Sequence, residues 1–259
     1  MGTRERRQRE FAEREQRFLD HARQLICDNG LLNLQMARVA RGCDYATGTL
    51  YQHFASKEDL LLALNSHLVA SRVELFQRVL DWAAPSRERI IAIAVADIIF
   101  ARQYPEHFRL AQYVTTEAVW RTASPERRNQ SLETGRPLGE CVGQIVRDAV
   151  QAGDLVDQGL NPYELIVGNW TMAQGMHTLV HAEGLLDQYN IREPYRRLLT
   201  HQQLLLNGMG WQPVKDAWDE QALNDLLTRI HQQVFPDRED PLSCMAGAAP
   251  SFQDNPESL

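Results

Sequence analysis

Apolar residues in this chain recur at steps of three, four and seven, and hardly anywhere at steps of two. One face of a helix repeats about every 3.6 residues and one face of a strand every second residue, so the pattern calls for helices and leaves little for a sheet. In 9–29, Phe11, Phe18, Leu19, Ala22, Leu25 and Ile26 make one stripe that stops at Asn29-Gly30. Asn-Gly is a good helix stop because glycine accepts the left-handed backbone of a C-terminal cap. Further helices are predicted at about 35–41, 45–53, 57–82, 87–103, 105–122, 125–136, 138–152, 162–184, 194–207 and 219–234, separated by Gly, Pro, Ser and Asn breakers. The fold class predicted is all-α.

Two short helices about the Gly42-Cys43-Asp44 turn, followed by a long helix behind the Ser56 cap, make a helix-turn-helix over Leu34 to Lys57. Its second helix presents small and polar side chains, Ala46, Thr47, Thr49, Gln52 and His53, while Leu50 and Phe54, four apart, face a core. Small residues let a helix enter a DNA major groove, and Thr and Gln can bond base edges or phosphates. Lys57 opens the next helix, where an ammonium and free backbone N–H groups together favour a phosphate.

Charge distribution agrees. The chain of 259 residues carries a net charge of −7, yet residues 1–57 hold 10 basic and 7 acidic groups. A basic head on an acidic body suits a nucleic-acid reader with a separate second domain, and equally a solvated, Arg-rich first helix.

The strings Gly48-Thr49-Leu50-Tyr51-Gln52-His53-Phe54 and Ser56-Lys57-Glu58-Asp59-Leu60-Leu61, with Val39-Ala40-Arg41 upstream, resemble the tetracycline-repressor (TetR/AcrR) family over about residues 14–70. The resemblance implies an N-terminal three-helix DNA-binding domain joined by a long helix to a helical ligand-binding and dimerisation bundle. It implies DNA contacts by Thr47, Thr49, Tyr51, His53 and Lys57, with Tyr51 and Lys57 mainly on phosphates; Tyr45, Ala46 and Gln52 of the same segment join them as candidates for the DNA-facing surface. Three positions depart from the pattern, one of them Ala46, where the family often has Ser. Asp44 stands where the family usually has Gly, and Tyr45 where it has a small aliphatic residue. Asp tolerates a left-handed backbone better than most residues, so the turn can still form. Tyr45 has two readings, buried or turned to the DNA. Asn33 is the best cap available to the helix at 35–41.

The organisation predicted is a basic arm at 1–13, the DNA-binding domain at 14–70, a ligand-binding and dimerisation domain at 71–235, and a mobile tail at 236–259, where Pro, Ser, Asp and Glu occur without periodicity. Asp97 lies inside an apolar run and needs a partner if buried. Phe108, Tyr113, Glu117 and Trp120 on one predicted helix, and Trp170, Gln174 and His177 on another, join Asp97 as candidates to line an effector pocket, since aromatic walls with a few polar anchors suit an organic ligand. The alternative for each is plain core. Gly168, Ala173 and Gly175 permit close helix approach, and Leu198, Leu199, Leu205 and Leu206 supply apolar surface. By resemblance the helices at 162–184 and 194–207 form a homodimer contact, and a two-fold dimer reads a palindromic operator.

The partners expected are double-stranded operator DNA, a second copy and a small organic effector, with no cofactor. Ligand binding would shift the dimers toward a spacing of recognition helices that misfits the operator, releasing a repressor; activation is the converse reading. Competing functions are an interaction module that has lost DNA binding and an all-α enzyme. The sequence has no Gly-rich phosphate loop, GxSxG, HExxH or DxD run. His177 and His181 are four apart but have no evident third ligand for a metal. The mean hydropathy of −0.41 and the lack of an apolar run of spanning length argue against a membrane segment. No secretory signal stands at the start, and four scattered cysteines with no CxxC pair read as reduced thiols of a cytoplasmic protein.

Overall fold

The computed structural model describes residues 2–245. Its described residues form eleven α-helices and no strand: α1 (Thr3–Asn29), α2 (Met36–Gly42), α3 (Thr47–Tyr51), α4 (Lys57–Asp81), α5 (Ser86–Gln103), α6 (Pro105–Val114), α7 (Glu117–Thr122), α8 (Pro125–Ala152), α9 (Pro162–His181), α10 (Pro194–Gly208) and α11 (Glu220–Val234). Local signals set most ends. Ser56 Oγ accepts from the Asp59 amide at 3.1 Å to cap α4. Asn161 accepts from the Tyr163 and Glu164 amides at 2.9 and 3.1 Å, while Glu164 accepts from the Asn161 amide, a reciprocal cap on α9. Asn33 does not cap α2 as expected. It lies in a 3-10 turn, and Gln35 takes the cap position without a side-chain bond.

Three boundaries differ from the periodicity. The helix expected over 105–122 is two, α6 and α7, because the Thr115 and Thr116 hydroxyls donate back to the Gln112 and Tyr113 carbonyls at 2.8 and 2.7 Å. The break expected at Pro137 is absent, and α8 runs through it, forgoing only the N–H that proline lacks. The arm expected at 1–13 is helical from Thr3, laced by Arg6–Glu10 and Arg9–Glu13 pairs one turn apart.

The chain divides into two compact units, residues 1–70 with 106–135, and 71–105 with 136–259. In the first, Phe18, Leu19, Ala22 and Ile26 of α1 meet Val39 and Ala40 of α2, Leu50 of α3, Phe54 and the Leu60–Leu64 turn of α4. Leu110, Val114, Val119 and Ala123 complete the same core, which is why 106–135 joins this unit rather than the one that follows residue 70 in sequence. Gly42 is required by close approach: a Cβ there would lie 1.8 Å from the His21 ring of α1.

In the second unit a buried arginine ties the start of α5 to α10. Arg87 donates to the Trp211 carbonyl at 2.6 Å, to Gln203 and to Asn207, which satisfies a charge that burial alone would not tolerate. Residues 236–245, expected to be mobile, pack on this unit. Cys244 and Met245 are fully buried, and Asp237 and Glu239 pair with Arg78 and Arg102 at 2.6 and 3.2 Å. The remainder of the predicted tail lies outside the described residues.

Candidate nucleic-acid interface

The turn between α2 and α3 is held by two backbone bonds, Tyr45 N–H to the Ala40 carbonyl at 3.0 Å and Asp44 N–H to the Arg41 carbonyl at 3.1 Å. That pairing requires a left-handed residue between them, and Asp44 supplies it with φ 60°. The departure at Asp44 is therefore accommodated in the conformation that a glycine would take.

With the turn fixed, α3 presents two faces. Leu50 is fully buried and anchors the inner face together with Phe54. On the other face Ala46, Gly48, Tyr51 and Gln52 are exposed, and Thr47 and Thr49 are half-buried. Tyr45 takes an intermediate position. Its ring meets Phe18 edge-on at 5.4 Å and carries the Arg14 guanidinium over it at 5.4 Å, so most of the ring serves the core. Its edge joins Ala37, Arg41, Asp44, Ala46 and Thr47 in lining an open surface groove of about 370 Å³. Arg41 was missed as a candidate: it is an exposed cation in the same groove as Thr47, but the sequence alone shows only one Arg among several.

His53 requires correction. It was expected on the reading surface, and it is turned inward instead. Its ring stacks on Phe11 at 3.8 Å, meets Phe18 edge-on at 5.4 Å, and Nδ1 lies 3.3 Å from Glu15 Oε2. The side chain is fully covered. Burial lowers its pKa, against the opposing pull of Glu15, so the neutral ring donates Nδ1–H to the carboxylate. The helix stops at Tyr51, and the tightened turn after it swings residue 53 toward α1.

Lys57 stands at the start of α4, with its ammonium on the Leu32 carbonyl at 3.2 Å. Burial depresses its pKa somewhat. One of its three donors is spent on Leu32 and two are left for an anion.

The eight residues expected around an effector fall into two sets. Phe108, Tyr113, Glu117 and Trp120 belong to the first unit, where Phe108 is buried, Tyr113 and Trp120 pack against the helix-turn-helix core, and Glu117 is exposed and paired with Arg121. Asp97, Trp170, Gln174 and His177 belong to the second unit. Asp97 and His177 are buried there, whereas Trp170 is 59% exposed. Asp97 finds its partner in Arg72 of α4, and His177 Nδ1 lies 3.1 Å from the Tyr195 hydroxyl. Both side-chain polar atoms of buried Asn169 and the Oε1 of buried Gln202 have no hydrogen-bond partner. Among the described residues no group of three His, Cys, Asp or Glu is placed to hold a metal, and no helix is long and apolar enough to cross a membrane. Burial raises the pKa of all four thiols, Cys244 to about 12, so none is an activated thiolate.

Residues 18–64, from the middle of α1 through α2 and α3 to the first turns of α4, match the family model described as bacterial regulatory proteins, tetR family. The fatty acid metabolism regulator protein of Bacillus subtilis is 23% identical over 149 residues, 56% of this chain and 71% of that protein. The HTH-type transcriptional regulator UidR of Escherichia coli K12 is 40% identical over 48 residues, 18% of this chain and 24% of that protein. Among solved structures, the lauroyl-CoA complex of Thermus thermophilus FadR, a TetR-family repressor, superposes with a TM-score of 0.58 at 19% identity, covering 75% of this chain and 94% of that one. AibR in complex with isovaleryl coenzyme A and operator DNA gives 0.51 at 20% identity, with 76% and 98% covered. Residues 18–64 are thus similar to the tetR family of bacterial regulatory proteins, and the chain shares its all-helical fold with these structures.

Proposed function

We propose that the protein is a homodimeric repressor that leaves a palindromic operator when a small organic effector binds. The observation that carries the DNA half is the outward face of α3, polar and small-residued, held by a turn that Asp44 closes in a left-handed conformation. Ala46, Thr47, Thr49 and Gln52 face base edges on this reading, and Tyr51, Lys57 and Arg41 face phosphates.

A stripe of exposed apolar residues supports the dimer. Tyr163, Val167 and Trp170 of α9, one helical turn apart, are each 45–59% exposed, and Leu204 of α10 is 40% exposed. A monomer rarely leaves such a row uncovered, and a two-fold axis through α9 would bury it. Leu198, Leu199 and Leu206, expected to supply the contact surface, are fully buried within the protomer and leave that role to the α9 stripe.

For the effector, buried amide atoms without partners at Asn169 of α9 and Gln202 of α10, whose side chain reaches the Asn169 carbonyl at 3.2 Å, support a polar ligand site in the second unit, because such groups are normally satisfied. The relatives that bind lauroyl-CoA and isovaleryl-CoA make acyl thioesters the first class to test.

The test is a duplex selected from a random library by the full-length chain, with affinity measured at two salt concentrations. Wild type should prefer the selected duplex and lose affinity steeply with salt. Lys57→Ala should weaken binding to every duplex and reduce the salt slope by about 1, whereas Thr47→Ala should change the preferred sequence. A wild type that binds selected and random duplexes alike refutes the reading. Lauroyl-CoA or isovaleryl-CoA should release the selected duplex if the effector class is right.

A further inference from the structure

The last turn of the recognition segment is tied to α8 by one side chain. Arg127, in the first turn of α8, donates Nη2–H to Glu15 Oε1 at 2.9 Å and to the His53 carbonyl at 3.0 Å. Its guanidinium lies over the Phe54 ring at 5.1 Å, and Nη1 donates to Gln130 at 2.8 Å. The other oxygen of Glu15 accepts from His53 Nδ1. Glu15 of α1, the His53-Phe54 step that ends the reading segment, and Arg127 thus close a ring of charge-assisted bonds. Arg127 and Glu15 are only 16% and 19% exposed, so solvent screens that ring weakly.

The start of α8 is itself fixed. The Ser124 amide donates to Asp59 Oδ1 at 2.7 Å, and Asp59 is buried in the first turn of α4, where its own amide is bonded to Ser56. Arg127 therefore reaches His53 from a held base. It meets the carbonyl end of α3, where a cation is favoured.

We infer that Arg127 is a positioning residue for DNA reading: it sets the exit of α3 and so the aim of Thr47, Thr49 and Gln52. This rests on the DNA-binding reading above and adds a residue outside the helix-turn-helix to it. The helix that carries Arg127 continues unbroken to Ala152, and its residues 136–152 belong to the unit that holds His177.

The experiment compares full-length wild type, Arg127→Ala, Arg127→Lys and Glu15→Gln on the duplex that wild type selects and on a random duplex of equal length. Binding is normalised to the fraction of protein that is DNA-competent, and melting is followed in parallel. Arg127→Ala should lower the selected-to-random affinity ratio at least tenfold and leave the salt slope unchanged, since Lys57 and Tyr51 remain. Arg127→Lys, which keeps the charge but cannot span both acceptors, should restore part of the ratio, and Glu15→Gln should cost a few-fold. If Arg127→Ala does not fold, Arg127→Lys carries the test, with a loss of at least three-fold expected. A variant that melts earlier but keeps the wild-type ratio overturns the inference, because the role is then structural only. A wild type with no preferred duplex overturns the DNA-binding reading itself, a different result from an unaltered ratio in the variants.

Discussion

Arg72 of α4 grips Asp97 of α5 through two parallel hydrogen bonds, Nε to Oδ1 at 2.7 Å and Nη2 to Oδ2 at 2.8 Å. Burial by itself would lower the Arg72 pKa, but the Asp97 charge and its hydrogen bonds carry it above its ordinary value. Removing one partner leaves the other charged and buried, at a cost of about 3–5 kcal/mol, whereas replacing both with apolar groups is nearly neutral. Asp97→Ala should therefore destabilise the chain strongly in urea unfolding followed by circular dichroism. An Arg72→Met/Asp97→Leu pair should recover most of the loss. Equal losses for the single and the pair would show that the ion pair is not what the site requires.

His177 makes stability depend on acid. Burial pushes its pKa down to about 3, with Arg72 and His181 adding to that direction and Asp97 opposing it. A histidine with a depressed folded pKa takes up its proton more readily when unfolded. Its contribution is present in full above the unfolded value of about 6.5 and is lost as pH falls from there toward about 3, on the order of 5 kcal/mol across the window. His177→Phe should flatten the fall of unfolding free energy between pH 6.5 and pH 4. A variant curve parallel to wild type would show that other groups carry the acid sensitivity.

Asp44→Gly tests the turn. A non-glycine left-handed residue is strained, and glycine removes that strain while adding freedom to the unfolded chain. The two effects oppose each other, and a net gain of a few tenths to about 1 kcal/mol is expected, seen as a small rise in melting temperature. The selected duplex should bind within about two-fold of wild type. A fall in stability would mean that the Asp44 carboxylate contributes more than its backbone position does.

Trp170→Glu tests the α9 stripe. The residue is 59% exposed in the protomer, so its replacement should hardly affect folding. A charge within an apolar contact should weaken the dimer at least tenfold and lower operator affinity with it. Sedimentation equilibrium reads the first effect and anisotropy the second. An unchanged dimer would move the interface elsewhere.

What the sequence by itself determined is local. Helix class, most boundaries, the cap at Ser56, the helix-turn-helix and the left-handed Asp44 all follow from signals within a turn or two of chain, where spacing fixes geometry. Tertiary structure decided the rest. Asp97 announced its need for a partner, but Arg72 lies 25 residues away and no spacing names it. His53 faced DNA by helical register, yet α3 ends at Tyr51 and the aromatic side chains of α1 draw the ring inward. Segment 106–135 completes the core of the first unit, and Arg127 reaches Glu15 across 112 residues. These pairings are set by how helices pack, and packing is chosen by the whole core at once rather than by the period of any one segment.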